Sequence, residues 1–231
     1  MKLNVKELLD LFDNKKDAIK HDISSVIGVV GEDFGAALFK HYCKKMGKQV
    51  TVSPFPVLGV TENKTKKGPR LDRWIYVKQS KNKTTAYQAE IKNWSAYAIG
   101  ARPLGADSKN ISTIGLLNWK DRVRRLKHRD KNGENKVFYP MKKPKGYPDK
   151  ATLEPLIIYW FVLSGNGVEL NPFFTVPVSI KGFKKLNVFS MSNYLRSIKK
   201  KEIILDMPIA EKRIKLLKKY FPIKKINKLK K

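Results

Sequence analysis

Two carboxylates and a lysine lie at the facing ends of two β-rich segments of this 231-residue chain. Asp72 is near the start of the first segment, residues 71–78. Glu90 is near the end of the second, residues 84–91, and Lys92 directly follows that segment. Each segment alternates apolar and polar residues, and a short polar turn separates them, which predicts a β-hairpin. Antiparallel pairing brings the start of one strand beside the end of the other. We therefore expect Asp72 to lie next to Glu90 and Lys92 on one face.

Such a trio is typical of phosphodiester hydrolysis with a hard metal ion. Asp72 and Glu90 offer the oxygen ligands that Mg²⁺ prefers, with Mn²⁺ as a plausible substitute. The bound ion would polarise the phosphate and lower the pKa of a bound water. Lys92 would orient that water and stabilise negative charge, since a lysine near a metal has a lowered pKa. Gln88, two residues before Glu90 on the same strand face, is expected to support the site.

The order of these residues resembles the PD-(D/E)xK nuclease superfamily, whose signature is an Asp early in one strand and Glu-x-Lys in the next. The proline is offset here, since Pro69 stands three residues before Asp72. The resemblance covers roughly residues 28 to 97. It implies a restriction-endonuclease-like core and a Mg²⁺-dependent DNA endonuclease with Asp72, Glu90 and Lys92 as its catalytic residues. It also suggests a role in restriction, defence, repair or junction resolution, and cleavage of a duplex would favour a homodimer.

A third carboxylate is expected from the helix that precedes the hairpin, because the superfamily often supplies a Glu there. Glu32 lies on that helix among Gly28, Gly31 and Gly35. Glycine inside a helix costs on the order of 1 kcal/mol relative to alanine, so we infer that this face closely approaches another part of the protein. Glu32 is therefore the expected third metal ligand, together with Asp72 and Glu90. Asp33 is the weaker candidate because it lies off the small-residue face.

The surrounding sequence predicts the elements that hold this site. Apolar spacing predicts a long helix over residues 15–46, ended by Gly47, and a short strand follows at 49–52. Further patterns are a helix at 112–129, buried strands at 155–163 and 173–180 with a turn at 165–167, a strand at 186–189, and helices at 190–201 and 208–221. The chain is thus expected to be one α/β domain over residues 1–223, with a central mixed sheet flanked by helices and a basic C-terminal tail at 224–231.

Charge indicates the partner. The chain has 49 Lys and Arg against 20 Asp and Glu, a formal net charge of +29, which favours binding to a polyanion such as DNA. Residues 120–150 carry 12 basic against four acidic residues, and residues 196–231 carry 14 against three. We expect contacts with phosphates from both segments. The candidate DNA-binding residues are Lys120, Arg122, Arg124, Arg125, Lys127, Arg129, Lys224, Lys225 and Lys228.

Several other classes of protein are disfavoured. The longest apolar stretch covers eight residues, so we expect no membrane span, and the charged N-terminal residues predict no signal peptide and a cytoplasmic location. Glycine-rich phosphate loops are absent from the sequence, so no nucleotide cofactor is expected. Tyr87, Trp94 and Tyr97 flank the expected site and either pack in the hairpin, the favoured interpretation, or stack on an unpaired base.

Two alternatives remain open from the sequence. The first is a non-catalytic nucleic-acid-binding protein that uses the same basic charge and in which the acidic cluster is structural. The second is RNA or structured DNA as the substrate, since no base-reading motif such as a zinc finger is present to decide between substrates.

Overall fold

A computed structural model describes residues 1–13, 17–53, 57–58, 70–80, 83–92, 110–111, 140–143, 150–160, 162–163, 171–180 and 182–221. The helices are α1 (Val5–Asp13), α2 (Asp17–Lys45), α3 (Met191–Ser197) and α4 (Pro208–Tyr220). The strands are β1 (Lys2–Asn4), β2 (Gln49–Val52), β3 (Val57–Leu58), β4 (Arg70–Leu71), β5 (Arg73–Ser80), β6 (Lys83–Lys92), β7 (Asn110–Ile111), β8 (Thr152–Tyr159), β9 (Val162–Leu163), β10 (Phe173–Ile180), β11 (Phe183–Ser190) and β12 (Glu202–Ile204).

A six-stranded mixed sheet forms the centre of the fold, in the order β10-β11-β8-β6-β5-β2. The pairs β2/β5, β5/β6 and β10/β11 are antiparallel, whereas β6/β8 and β8/β11 are parallel. Parallel neighbours need a crossover connection between them, and the predicted helix at 112–129 falls in the chain between β6 and β8, outside the described residues. The α/β class with helices flanking a mixed sheet is confirmed.

The predicted hairpin is confirmed as β5 and β6. Its register pairs Arg73 with Ala89 and Ile75 with Tyr87, so the two strands run antiparallel as expected. The expected strand at residues 49–52 is also present as β2, which pairs with the outer side of β5. The hairpin lies inside the sheet rather than at its margin because β6 also pairs with β8 over eight residues.

The sheet buries different residues on its two faces. The face toward α2 carries the larger apolar core, which includes Phe34, Leu38, Phe39, Ile75, Tyr87, Ile91, Leu156 and Phe189. The opposite face has a smaller apolar group made of Leu71, Trp74, Tyr76, Ala86, Met141 and Ala151. Tyr87 therefore packs in the core, as favoured from the sequence, and Trp94 and Tyr97 lie outside the described residues.

Helix α2 covers nearly the whole predicted range but is broken at Gly31, where the backbone adopts φ 55° and ψ −152°. A side chain disfavours this left-handed conformation, whereas glycine adopts it readily. A β-carbon added to Gly31 would also lie 2.5 Å from Nη1 of Arg213 in α4. The close approach inferred from the glycines is thus found at Gly31, with α4 as the neighbour.

The C-terminal half differs in part from the expectation. β11 lies between β8 and β10, so the two apolar runs flanking residues 165–167 are not neighbouring strands, and those three residues lie outside the described part. Ser190 caps α3 by accepting a hydrogen bond from the backbone N–H of Asn193, but the helix ends at Ser197 because Ile198 is extended. The helix expected to reach residue 201 is therefore too long, while that at 208–221 is confirmed as α4.

The first 13 residues form elements that the sequence did not predict. β1 pairs antiparallel with β12, and α1 follows it.

None of the described helices combines the length and apolar character needed to cross a bilayer.

Candidate functional site

Asp72 lies in the bend between β4 and β5, at the open end of the hairpin. Continuing the β5/β6 register by one pair beyond Arg73 and Ala89 sets Asp72 opposite Glu90. Its Oδ2 atom accepts a hydrogen bond of 2.7 Å from the backbone N–H of Ile91, the residue between Glu90 and Lys92. The cross-strand contact expected from the sequence is present, and it holds the Asp72 carboxylate at the C-terminal end of β6.

Glu90 and Gln88 occupy alternate positions of β6 and are both buried on the face away from α2. Glu90 retains 1% of its exposure and Asp72 9%, so both carboxylates lie below the surface of the protein. The Oε1 atom of Gln88 accepts a 3.2 Å hydrogen bond from the backbone N–H of Met141. Gln88 therefore joins the segment at Met141 to the strand that carries Glu90. Its expected role in supporting the site stays a prediction.

Lys92 is the last residue of β6, where it pairs with Tyr159 of β8. Its backbone position is two residues beyond Glu90, as the sequence indicated. Its side chain lies outside the described part of the protein.

Arg73 is a site residue that the sequence analysis missed. It is 2% exposed, and its Nη1 atom donates a 2.6 Å hydrogen bond to the backbone carbonyl of Asp72. The same atom lies 3.5 Å from Oε2 of Glu32, which forms a long ion pair with it. The sequence did contain a signal for this residue, since Arg73 shares a strand face with the apolar Ile75 and Val77. A guanidinium buried on such a face needs an acceptor and a counter-charge.

Glu32 thus approaches the open end of the hairpin from the α2 face and meets Arg73 there. Asp72 and Glu90 occupy neighbouring positions on the hairpin, and Arg73 connects Glu32 with the backbone of Asp72. Among the described residues, no three His, Cys, Asp or Glu side chains lie close enough together to hold one metal ion. The structure thus does not bring Glu32 together with Asp72 and Glu90. The role of Glu32 as a third metal ligand stays a prediction.

Contacts with α4 hold the chain on both sides of Glu32. Arg213 of α4 donates a 3.1 Å hydrogen bond to the carbonyl of Val29, two residues before the break. Asp33 is buried, and its Oδ2 atom accepts hydrogen bonds from the backbone N–H groups of Ile209 and Ala210 at 3.0 and 3.1 Å. Asp33 therefore caps the start of α4, a structural role that agrees with its lower rank as a metal ligand.

Asp72 and Glu90, at the open end of the hairpin, are of the residue type that binds a magnesium ion. Magnesium in enzymes is usually held by one or two carboxylates together with substrate phosphates and waters, rather than by a full protein cage. Asp72 and Glu90 supply two oxygen donors at neighbouring positions.

A cysteine-based mechanism receives no support from the geometry. Cys43, the single cysteine of the chain, lies near the C-terminal end of α2 and is buried in the core, and burial raises its pKa to about 12. The thiolate form needed for a nucleophile is therefore disfavoured at neutral pH.

The candidate DNA-binding residues at positions 120–129 and 224–228 lie outside the described residues. Within the described part, α4 displays the start of the basic C-terminal segment. Its exposed cations are Lys212, Arg213, Lys215, Lys218 and Lys219, against the single acidic residue Glu211. The helix is therefore a strongly positive surface.

The chain matches no family model, no curated protein and no solved structure in the three comparisons made with known proteins.

Proposed function

We propose that this protein is a Mg²⁺-dependent DNA endonuclease with a restriction-endonuclease-like core, with Mn²⁺ as a substitute for Mg²⁺. Asp72 and Glu90 would hold the ion, Glu32 is the proposed third carboxylate, and Lys92 serves the attacking water. One observation carries this proposal: the Asp72 carboxylate is bonded to the N–H of Ile91, between Glu90 and Lys92. The Asp and Glu-x-Lys of the resemblance are thus joined across the hairpin.

The chain's own residues divide the work in this proposal. Asp72 is fixed at both ends, because its carboxylate accepts from Ile91 and its carbonyl accepts from Arg73. A ligand held in this way loses little freedom when the substrate arrives, which favours catalysis by preorganisation. The bound ion would supply charge neutralisation at the phosphate and a more acidic water. The ammonium of Lys92 would orient that water and stabilise the developing negative charge.

The net charge of +29 supports a nucleic-acid substrate, and cleavage of both strands of a duplex would favour a homodimer. Restriction, defence, repair and junction resolution are the processes in which such an activity would serve. RNA and structured DNA stay as alternative substrates under the same chemistry.

A non-catalytic nucleic-acid-binding protein is the second candidate, and one observation favours it. Glu32 and Asp72 both have structural contacts, with Arg73 and with the backbone of Ile91 respectively. In that case the acidic groups would balance the buried guanidinium and hold the hairpin end together, and the basic surface alone would carry the function.

Plasmid nicking in Mg²⁺ separates the two candidates. Asp72→Asn keeps an oxygen acceptor for the Ile91 N–H but removes the negative charge, so it tests the metal role with little change in the fold. We expect Asp72→Asn and Lys92→Ala each to lower the cleavage rate by at least about 10²-fold while DNA binding persists. No metal-dependent cleavage by the wild type would favour the binding protein. Wild-type cleavage in these variants would show that Asp72 and Lys92 are not the catalytic residues.

Matched controls use the same chemical changes away from the site. Asp206→Asn removes an exposed carboxylate that pairs with Lys40, and Lys78→Ala removes an exposed lysine near the turn of the same hairpin. Both should cleave like the wild type. A loss in these controls as large as in the site variants would point to a general effect of surface charge.

A further inference from the structure

The outer side of α4 carries an apolar stripe that does not pack into the core. Arg213, Leu216, Leu217 and Tyr220 are spaced three and four residues apart, so they lie on one face of the helix. The helix packs inward through the buried Ala210 instead. Leu216, Leu217, Tyr220 and the following Phe221 are all exposed, with Tyr220 at 64% and Phe221 at 72%.

These side chains line a recess between α4 and α2. We call it the α4 recess; it is lined by Val29, Arg213, Leu216, Leu217, Tyr220 and Phe221, and it has a volume of about 310 Å³. That volume is at the lower end of the range for small-molecule sites, about 300 to 1,000 Å³. Its lining combines aliphatic side chains with two aromatic rings, which suits a flat aromatic group.

The charge around the α4 recess selects the kind of occupant. Lys212, Lys215, Lys218 and Lys219 are exposed on the same short helix, and the Nζ of Lys219 lies 5.2 Å from the centre of the Tyr220 ring. A second copy of this chain would bring a second set of these cations against the first, which is unfavourable. An anionic occupant is attracted instead, and one that carries both a planar ring and a negative charge satisfies the whole surface.

We propose that the α4 recess binds an unpaired base of a single-stranded nucleic acid, with the phosphates of that strand on the α4 lysines. Aromatic side chains beside a positively charged track are the common means of binding single strands, because every base has a face that can stack. This inference rests on the proposed nucleic-acid substrate and narrows it to molecules with an unpaired segment. Tyr87 was one of the residues considered for stacking on a base, but it is buried. We assign stacking to Tyr220 and Phe221 instead.

Binding in EDTA tests this proposal independently of cleavage. The probe is a labelled oligothymidylate of about 15 nucleotides, measured by fluorescence anisotropy beside a blunt duplex and an oligouridylate of equal length. Tyr220→Ala should weaken binding of the single strand by about 5- to 150-fold, the range expected for loss of one stacked base. Binding of the duplex should change by less than about 2-fold, because the faces of bases inside a duplex are covered by the base pairs stacked above and below. Comparison of thymidylate with uridylate distinguishes DNA from RNA.

Four further variants separate the contribution of stacking from that of charge. Tyr220→Trp should keep the affinity, whereas Tyr220→Leu, which retains apolar bulk without an aromatic ring, should lose most of it. Ile204→Ala is the matched control, since Ile204 is 76% exposed and lies outside the α4 recess. Lys215→Gln should instead flatten the dependence of log K on log salt by about 0.7 for the single strand, while Tyr220→Ala leaves that slope unchanged.

Three results would overturn the proposal. The first is a Tyr220→Ala protein that binds the oligothymidylate as well as Ile204→Ala does. The second is an equal loss for duplex and single strand. The third is loss of binding to phosphatidylserine vesicles in Tyr220→Ala with unchanged binding to the oligothymidylate, which would assign the surface to an anionic membrane. Each can occur whether or not the wild type cleaves DNA, so failure here and failure of the nuclease assignment are distinguishable.

Discussion

The two faces of strand β6 carry opposite kinds of side chain. Tyr87, Ala89 and Ile91 point into the apolar core under α2, whereas Gln88 and Glu90 are buried on the other face, beside a much smaller apolar group. Alternation along one strand thus separates residues that stabilise the fold from residues available for chemistry. A slip of one residue in the β5/β6 register would exchange the two sets, so the α2 core also fixes the position of the carboxylates.

The largest effect is expected from a cavity in the larger apolar core, on the face of the sheet toward α2. Phe39 is buried, and its ring centre lies 5.1 Å from that of Phe189 and 5.8 Å from that of Tyr87. Phe39→Ala should lower the free energy of unfolding by about 3 to 5 kcal/mol in urea denaturation. The cleavage rate per folded molecule should stay near that of the wild type, since Phe39 packs in the core and is not a candidate site residue. A loss of activity in fully folded protein would show that the two faces are not separable.

The next effect concerns metal-dependent stability. An ion bound by Asp72 and Glu90 only in the folded state should raise the free energy of unfolding by about 2.7 kcal/mol at 100 times its Kd. We expect Mg²⁺ to raise the Tm of the wild type and of Phe39→Ala by similar amounts, and to leave the Tm of Glu90→Gln unchanged. Calorimetry with and without Mg²⁺ checks this. A Tm increment retained by Glu90→Gln would place the ion elsewhere.

A smaller effect is expected at Glu32, on the opposite face from Glu90. If Glu32 is the third carboxylate, Glu32→Gln raises the Mg²⁺ concentration needed for half-maximal cleavage. If Glu32 only balances the buried Arg73, the metal titration stays unchanged and the Tm falls. Asp33→Ala is the matched control: it removes the cap of α4, worth about 0.5 to 2 kcal/mol, and should lower the Tm without changing the metal titration.

The smallest effect is expected from the pH dependence of stability. Burial, followed by the nearby Lys45, Lys200 and Lys44, lowers the pKa of His41 below its ordinary value of 6.5. The unfolded chain therefore binds a proton at a higher pH than the folded protein does, and stability should fall as the pH drops from about 7 through 6.5 to the folded pKa.

His41→Gln should flatten this part of the stability curve, while a polar side chain remains available to Tyr194, the hydrogen-bond partner of His41. Thermal melts at closely spaced pH values measure it. Asp206 acts at lower pH: the hydrogen bond from Lys40 lowers the pKa of that carboxyl, so its contribution is lost only as the carboxylate protonates in acid. An unchanged slope between pH 7 and 6 in His41→Gln would assign the effect to another group.

Local pattern was sufficient for most of the helices and strands. The hairpin, β2, α2 and α4 follow from periodicity and from their turn residues, because the spacing of apolar residues must match the geometry of each element. Pairing between distant strands was not predictable in the same way. The position of β11 between β8 and β10, and the contact of β1 with β12, depend on contacts between segments far apart in the chain.

The candidate site was also predictable from the sequence only in part. The sequence alone predicted that Asp72 and Glu90 take neighbouring positions. A hairpin is a local structure, and its register follows from the hydrophobic pattern of its strands and the length of its turn. Only the tertiary structure decided what surrounds them: Arg73 between Glu32 and the backbone of Asp72, and Asp33 at the start of α4. These contacts join elements that are 41 and 176 residues apart in the chain, and local pattern carries no information about such distances. The physical reason is that a buried charge is satisfied by whichever partner the packed helices bring to it.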